Sequence, residues 1–242
     1  MLFHNKKNFA KGLALLVSFT VVLVLIFSPV FNNDAGEKQN GLEYADDLFN
    51  KLAKGSSYFI PEMAKNVDKF KGKAIDVTVK LKDPAMVADA TKILAIAGVA
   101  AQPKDGSLQV SGDLSKVLTL ALAASDKMYN NDIAGVSALF ENMDGQKAMK
   151  VLWNVQNMMV KELQKAKMIE EAGVVKRVNE KGIEPAFNFY GIKAENIMTK
   201  IPLAAGLLIF YVVYTMWYGY AIFDMFDGIG LSMKKSKVKK EV

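Results

Sequence analysis

Two long apolar runs without a charged side chain lie near opposite ends of the chain, and they constrain the fold more than any other feature. They are residues 12–31 (GLALLVSFTVVLVLIFSPVF) and residues 201–223 (IPLAAGLLIFYVVYTMWYGYAIF). A helix of about 20 apolar residues crosses a hydrocarbon core roughly 30 Å thick. The sequence therefore predicts two transmembrane helices, which flank one folded domain over residues 32–200.

The lysines outside these runs predict the orientation. Of the net charge of +6, residues 1–11 carry +3 and residues 201–242 carry +2, which leaves +1 for the domain between the spans. Lysine-rich flanks stay on the cytoplasmic side of a membrane. We therefore expect the leader 1–11 and the tail 224–242 in the cytoplasm, with the domain periplasmic or extracellular. The expected location is a cell membrane, most simply a bacterial inner membrane.

The small net charge of the domain also indicates which kinds of partner it can bind. A nucleic-acid-binding domain needs a basic stripe on its folded part, and this one has no charge excess to form it. We expect no nucleic-acid partner.

The first apolar run has an alternative interpretation as a cleaved signal peptide. It follows a basic leader, but its apolar core is long, and the next residues (NNDAGEKQN) contain no A-x-A-like cleavage site. An uncleaved anchor is the prediction. If cleavage occurs, the domain is still exported, and the second span alone holds it to the membrane.

Periodicity predicts a helix-rich α+β domain. Apolar residues at helical spacing predict amphipathic helices over 42–54 and after Pro61. Alternation over 74–81 predicts a half-buried strand. We expect a helix near 86–97 to follow it.

Two short strands, 99–101 and 108–110, are expected next, joined by a turn that contains Asp105-Gly106. Asp113 then caps a further helix. The order over 74–130 is β-α-β-β-α, which is part of the ferredoxin-like split β-α-β arrangement.

The last third of the domain predicts one long helix and irregular structure. Asp144 caps a helix over about 145–172, which Gly173 ends. Residues 174–178 (VVKRV) predict a short strand. Residues 185–198 lead back to the second span as a helix interrupted near Gly191.

The composition excludes several kinds of chemistry. The chain has no cysteine, and its only histidine, His4, lies in the leader. Disulfides, thiolate or imidazole metal sites and serine–histidine catalysis are therefore excluded from the domain. The adjacent carboxylates Asp46-Asp47 and Glu170-Glu171 point about 100° apart on a helix and form no catalytic pair. We expect no catalytic residue, metal site or cofactor, and a non-enzymatic protein.

The second span carries the residues that we predict to pack against a partner helix. Ala205 and Gly206 are small enough for close helix approach. Tyr211, Tyr214 and Tyr218 follow i, i+3, i+7 spacing, and the first two lie deep enough that their hydroxyl groups need partners.

The basic tail predicts contact with anionic lipid headgroups, at about 1 kcal/mol for each lysine near the surface. The predicted headgroup ligands are Lys234, Lys235, Lys237, Lys239 and Lys240.

Together these features predict an accessory, scaffold or assembly subunit of a membrane protein complex. Its expected partners are membrane lipids and other membrane proteins or further copies of itself. The main alternative is a ligand-sensing exported domain, which would have to signal through a partner because residues 224–242 hold no output module. A carboxylate-based extracytoplasmic enzyme is the third class.

Overall fold

The computed structural model describes residues 4–104 and 106–231, which are divided into two units. Within these residues, one unit combines residues 4–52 with 196–231, and the other is Ala53–Glu195. Helices dominate both units, and the main sheet lies in the second. In chain order the elements are α1 (Lys6–Phe27), β1 (Phe31–Asn32), β2 (Lys38–Gln39), α2 (Gly41–Ser56), α3 (Ile60–Asp68), β3 (Ala74–Val79), α4 (Met86–Ile96), β4 (Ala100–Lys104), β5 (Ser107–Asp113), α5 (Leu114–Tyr129), α6 (Ile133–Leu139), α7 (Gly145–Lys165), α8 (Ile169–Val178), a π-helical turn (Asn179–Ile183), α9 (Glu184–Asn188) and α10 (Ile197–Gly228).

The helices α1 and α10 correspond to the two apolar runs. Both are long and apolar enough to cross a membrane, and only 6% and 0% of their most apolar windows are buried within the chain. Asn5 and Asn196 cap their first turns. The first helix ends at Phe27, four residues before the predicted end, because Pro29 disfavours helical geometry at Ser28. The second helix is longer than predicted at both ends.

The second unit contains a three-stranded antiparallel sheet in the order β3-β5-β4. Val77 pairs with Val110, and Lys104 pairs with Ser107 across a two-residue turn in which Gly106 has a φ of +73°. A positive φ suits glycine, as the predicted turn requires at this position, and Asp105 lies outside the described residues. Strand β3 alternates exposed and buried residues, as its sequence predicts.

The strand order is that of a split β-α-β unit. Strands β3 and β4 are each antiparallel to β5 and therefore parallel to one another, with α4 as their connection. Within the described residues no fourth strand pairs with β3. The complete ferredoxin-like arrangement therefore remains a prediction.

Helices α5, α7 and α8 supply most of the remaining core. Two sequence predictions, for the end of α7 and for the residues of α8, are wrong. The predicted helix over 145–172 ends at Lys165, because Lys167 takes a φ of +62° and the amide of Met168 bonds to the carbonyl of Leu163. The predicted strand 174–178 belongs to α8. Its valines at 174, 175 and 178 follow helical spacing and are buried.

The chain after α8 widens into a π-helical turn, in which the amide of Glu184 bonds to the carbonyl of Asn179. Pro185 accounts for the widening, because its ring would clash with the carbonyl four residues earlier in a regular α-helix. After α9 the chain breaks near Gly191, which has a φ of +83°, as predicted.

Candidate membrane-helix interface

Helices α1 and α10 pack antiparallel, and glycines set their closest approach. A Cβ added at Gly12 would lie 2.6 Å from the backbone nitrogen of Met225 and 2.7 Å from the carbonyl oxygen of Ala221. A Cβ added at Gly228 would lie 2.6 Å from the backbone nitrogen of Phe9. Each helix therefore contributes a glycine at a point where only hydrogen fits. Small residues at such points allow two backbones to pack in an apolar medium.

Polar groups join the same end of the two helices. The Nζ of Lys11 lies 2.9 Å from the carboxylate of Asp224, and the Nδ2 of Asn8 donates to Asp227 at 2.6 Å. The backbone amide of Asn5 donates to the carbonyl oxygen of Gly228 at 3.0 Å. These contacts, which we call the polar clasp, give the two aspartates that follow the second apolar run partners within the chain.

Two of the predicted tyrosines pack against α1. Tyr214 stacks on Phe19 with ring centroids 4.2 Å apart, and its hydroxyl donates to the carbonyl oxygen of Phe19 at 3.1 Å. Tyr218 also packs against the Phe19 ring, at 5.1 Å between centroids. For these two residues, the neighbouring helix is α1 of the same chain.

The remaining predicted residues are exposed and do not share one face. Ala205 is exposed, a Cβ at Gly206 would meet nothing within 4 Å, and Tyr211 is 67% exposed. Ala205 and Tyr211 are six residues apart and therefore point about 120° apart on the helix. The structure does not bring these three side chains together.

A different set of residues shares a face with Tyr211. Leu208 precedes it by three residues, and Thr215 and Tyr218 follow it by four and seven. All three are also exposed. We call these four residues the Tyr211 face. Within the part of the chain that the structure describes, the hydroxyl groups of Tyr211 and Tyr218 have no hydrogen-bond partner. The opposite side of α10 carries apolar Ile209, Val213 and Met216 at these depths.

Neither the two glycines nor the polar clasp was predicted from the sequence. A signal was present, because Lys11 borders the first run on the same predicted membrane side as Asp224. Their opposite charges would have suggested a pair. The predicted headgroup ligands, Lys234, Lys235, Lys237, Lys239 and Lys240, lie outside the described residues.

The second unit holds one buried lysine, which is the other candidate for a chemical site. Lys54 is 3% exposed, and its Nζ donates to Asn131 Oδ1 at 3.2 Å and to the carbonyls of Phe189 and Ile192 at 3.0 and 2.6 Å. Burial lowers the pKa of Lys54. An ammonium has three hydrogens, and three protein acceptors use them. Lys54 therefore ties the chain after α9 in place.

The phenols beside Lys54 are protonated at neutral pH. The hydroxyl of Tyr58 donates to Asp126 at 2.6 Å, which raises the pKa of Tyr58 to about 12. Burial raises the pKa of Tyr129, whose hydroxyl donates to the carbonyl of Lys54. Neither phenol is a base near pH 7, and this cluster supplies contacts that hold the fold. In residues 4–104 and 106–231, no group of three His, Cys, Asp or Glu side chains could hold a metal ion.

The fold and these contacts define a helix-rich α+β protein with a small sheet and two apolar helices. Comparison with family models, curated proteins and solved structures finds no match to the chain.

Proposed function

We propose that the chain is a membrane-anchored, non-enzymatic accessory subunit that joins a membrane protein complex through the Tyr211 face of α10. The observation that carries this proposal is the exposed Tyr211, whose hydroxyl is unpartnered near the middle of a 32-residue apolar helix. A hydroxyl group without a hydrogen bond costs about 1–3 kcal/mol in apolar surroundings. A helix of a partner protein that offers an acceptor removes that cost.

The composition of α10 supports the choice of face. The Tyr211 face carries three hydroxyl groups, whereas Ile209, Val213 and Met216 on the opposite side are suited to lipid. Polar side chains in membrane helices hydrogen-bond across helix interfaces. The partner therefore contacts one flank of the α1–α10 pair, and lipid covers the rest.

The contacts of α1 support an anchor that is retained. Removal of a signal peptide would strip α10 of the partner of Gly228 and leave the carboxylates of Asp224 and Asp227 without Lys11 and Asn8. Two antiparallel spans also bring both ends of the chain to one side of the membrane. The lysines of the leader and tail favour the cytoplasm for that side, and the tail lysines contact anionic headgroups.

The test is purification of the protein from its own membranes in a mild detergent, with mass spectrometry of the proteins that remain bound. The expected result is a stoichiometric membrane partner. The double variant Tyr211→Phe/Tyr218→Phe removes only the two hydroxyl groups and should lower the amount of bound partner several-fold. Tyr220→Phe is the matched control, since Tyr220 is exposed on α10 about 180° away from Tyr211.

Two outcomes would contradict the proposal. The first is a wild-type protein that is recovered alone. The second is a partner that remains fully bound to the double variant, because the hydroxyl groups of the Tyr211 face would then have no part in assembly.

A further inference from the structure

A groove between α7 and the run formed by α8, the π-helical turn and α9 is the strongest unassigned feature of the second unit. Its cavity has a volume of about 460 Å³, within the range of small-molecule sites. Trp153, Asn157 and Lys161 line it at intervals of one helical turn from α7. Lys176, Asn179 and Glu184 line it from the other side.

Two side-chain hydrogen bonds hold the sides of the groove at a fixed spacing. The Nε1 of Trp153 donates to Glu184 at 3.0 Å, and the Nδ2 of Asn179 donates to the Oδ1 of Asn157 at 3.1 Å. The groove is therefore preformed. Trp153 and Glu184 also border a second cavity of about 350 Å³.

Asn179 supplies the observation that points to a ligand. It lines the cavity, yet it is 1% exposed, and its Oδ1 has no hydrogen-bond partner in the described part of the chain. Buried amide oxygens are nearly always paired, and an unpaired one costs about 1–3 kcal/mol. Pro185 explains the π-helical turn but does not explain this unpaired oxygen. A ligand that donates an O–H or N–H to Oδ1 would satisfy it.

The charges around the cavity indicate the rest of the ligand. Lys176 lies 3.6 Å from Glu180, and Glu184 is bound to Trp153. Lys82 and Lys161 also line the cavity, and neither has a carboxylate partner within the described residues. The groove thus offers two ammonium groups and one acceptor that the protein itself leaves unused.

We infer that the groove binds a small organic carboxylate that also carries a hydroxyl or amino group. The carboxylate contacts Lys82 and Lys161, and the hydroxyl or amino group donates to Asn179 Oδ1. A ligand of about six carbons fits a cavity of this volume. This site goes beyond the proposed function, because it lies in the second unit and does not involve α10.

Isothermal titration of the full chain in mild detergent tests the inference. The probes are D-gluconate, L-malate, L-serine and L-glutamate, each of which carries both kinds of group. Sorbitol lacks the carboxylate and hexanoate lacks the donor, so they are matched controls. The expected result is saturable binding of at least one probe, with neither control bound at about 10 mM.

Variants locate the binding. Lys161→Gln and Asn179→Leu should each weaken the bound probe about 5- to 10-fold, which corresponds to roughly one charge-assisted or buried hydrogen bond. Lys92→Gln removes an exposed charge on α4 and should leave binding unchanged. In a Trp217→Phe background, Trp153 is the only tryptophan. Because Trp153 lines the groove, its fluorescence should change on binding.

Three results would overturn the inference. They are the absence of binding by all four probes, equal binding of sorbitol or hexanoate, and binding that neither Lys161→Gln nor Asn179→Leu weakens. Thermal unfolding of each variant checks that a lost signal does not arise from a lost fold.

Discussion

The ring of Tyr214 stacks on that of Phe19 at 4.2 Å, and the hydroxyl of the same tyrosine donates to the backbone carbonyl of Phe19. One side chain therefore joins α10 to α1 both by its aromatic face and by its polar atom. The polar contact can be removed without the aromatic one, which makes it testable.

Tyr214→Phe should reduce the thermal stability of the α1–α10 pair by about 0.6 kcal/mol and at most about 1.7 kcal/mol, the range of interhelical hydrogen bonds in membranes. The stack remains, because phenylalanine keeps the ring. Thermal unfolding in bicelles, followed by circular dichroism, measures the change. Tyr220→Phe should have no effect, and an equal loss in both variants would show that the hydrogen bond is not responsible.

Gly12→Ala should separate α1 from α10. The added methyl group would lie 2.6 Å from the Met225 nitrogen, and backbone atoms cannot move aside as a side chain can. The expected cost is about 1–3 kcal/mol. Gly219→Ala is the matched control on α10, because a Cβ there meets nothing within 4 Å. The control should be neutral or slightly stabilising, since alanine favours helix over glycine. Similar thermal unfolding midpoints for the two variants would contradict close packing of Gly12 against α10.

Lys54→Met should destabilise the second unit by about 2–3 kcal/mol, because the acceptors on Asn131, Phe189 and Ile192 lose their shared donor. Hydrogen exchange should accelerate first at the amide of Gly191, which donates to the same Asn131 oxygen. Lys65→Met, at an exposed position of α3, should change stability by less than about 0.5 kcal/mol. Unchanged exchange at Gly191 would mean that Lys54 does not hold this segment.

Glu171 should make the second unit sensitive to acid. Its hydrogen bond to Lys73, in an ion pair of 2.9 Å, lowers the pKa of the Glu171 carboxyl group. A lowered folded-state pKa adds stability above the unfolded value of about 4.3, and this stability is lost as the pH falls through the folded value.

Urea unfolding from pH 7 downwards measures this dependence. Glu171→Gln should be less stable at pH 7 and should lose less stability on acidification than the wild type. Glu170→Gln changes the exposed neighbour and should keep the wild-type dependence. The assignment fails if Glu170→Gln, and not Glu171→Gln, flattens the curve.

Sequence patterns predicted the parts of this fold that depend on local chemistry. The alternation in β3, the Asp113 and Asp144 caps and the apolar runs all appear in the structure. The strand predicted at 174–178 failed because three valines favour strand locally, whereas burial against neighbouring helices selects α8.

Interactions between distant residues were harder to predict. The role of Gly12 depends on Met225 and Ala221, more than 200 positions away, and glycine alone carries no sign of such a contact. Likewise, the sequence pattern does not distinguish Tyr214 from Tyr211. Of these two residues, only Tyr214 hydrogen-bonds to α1, whereas Tyr211 is exposed. The groove beside Asn179 became visible only when α7 and the π-helical turn were placed together.

The edge of β3 that faces away from β5 affects the tendency of the protein to self-associate at high concentration. No strand pairs with that side in residues 4–104 and 106–231, so an edge of the sheet can recruit a strand from another molecule. Asp76 and Lys80 place charges along or just beyond this short edge, and Pro103 interrupts hydrogen bonding in the opposite edge strand. Neutralising Asp76 and Lys80 would therefore remove a safeguard against self-association, and it would do so without altering a single buried contact.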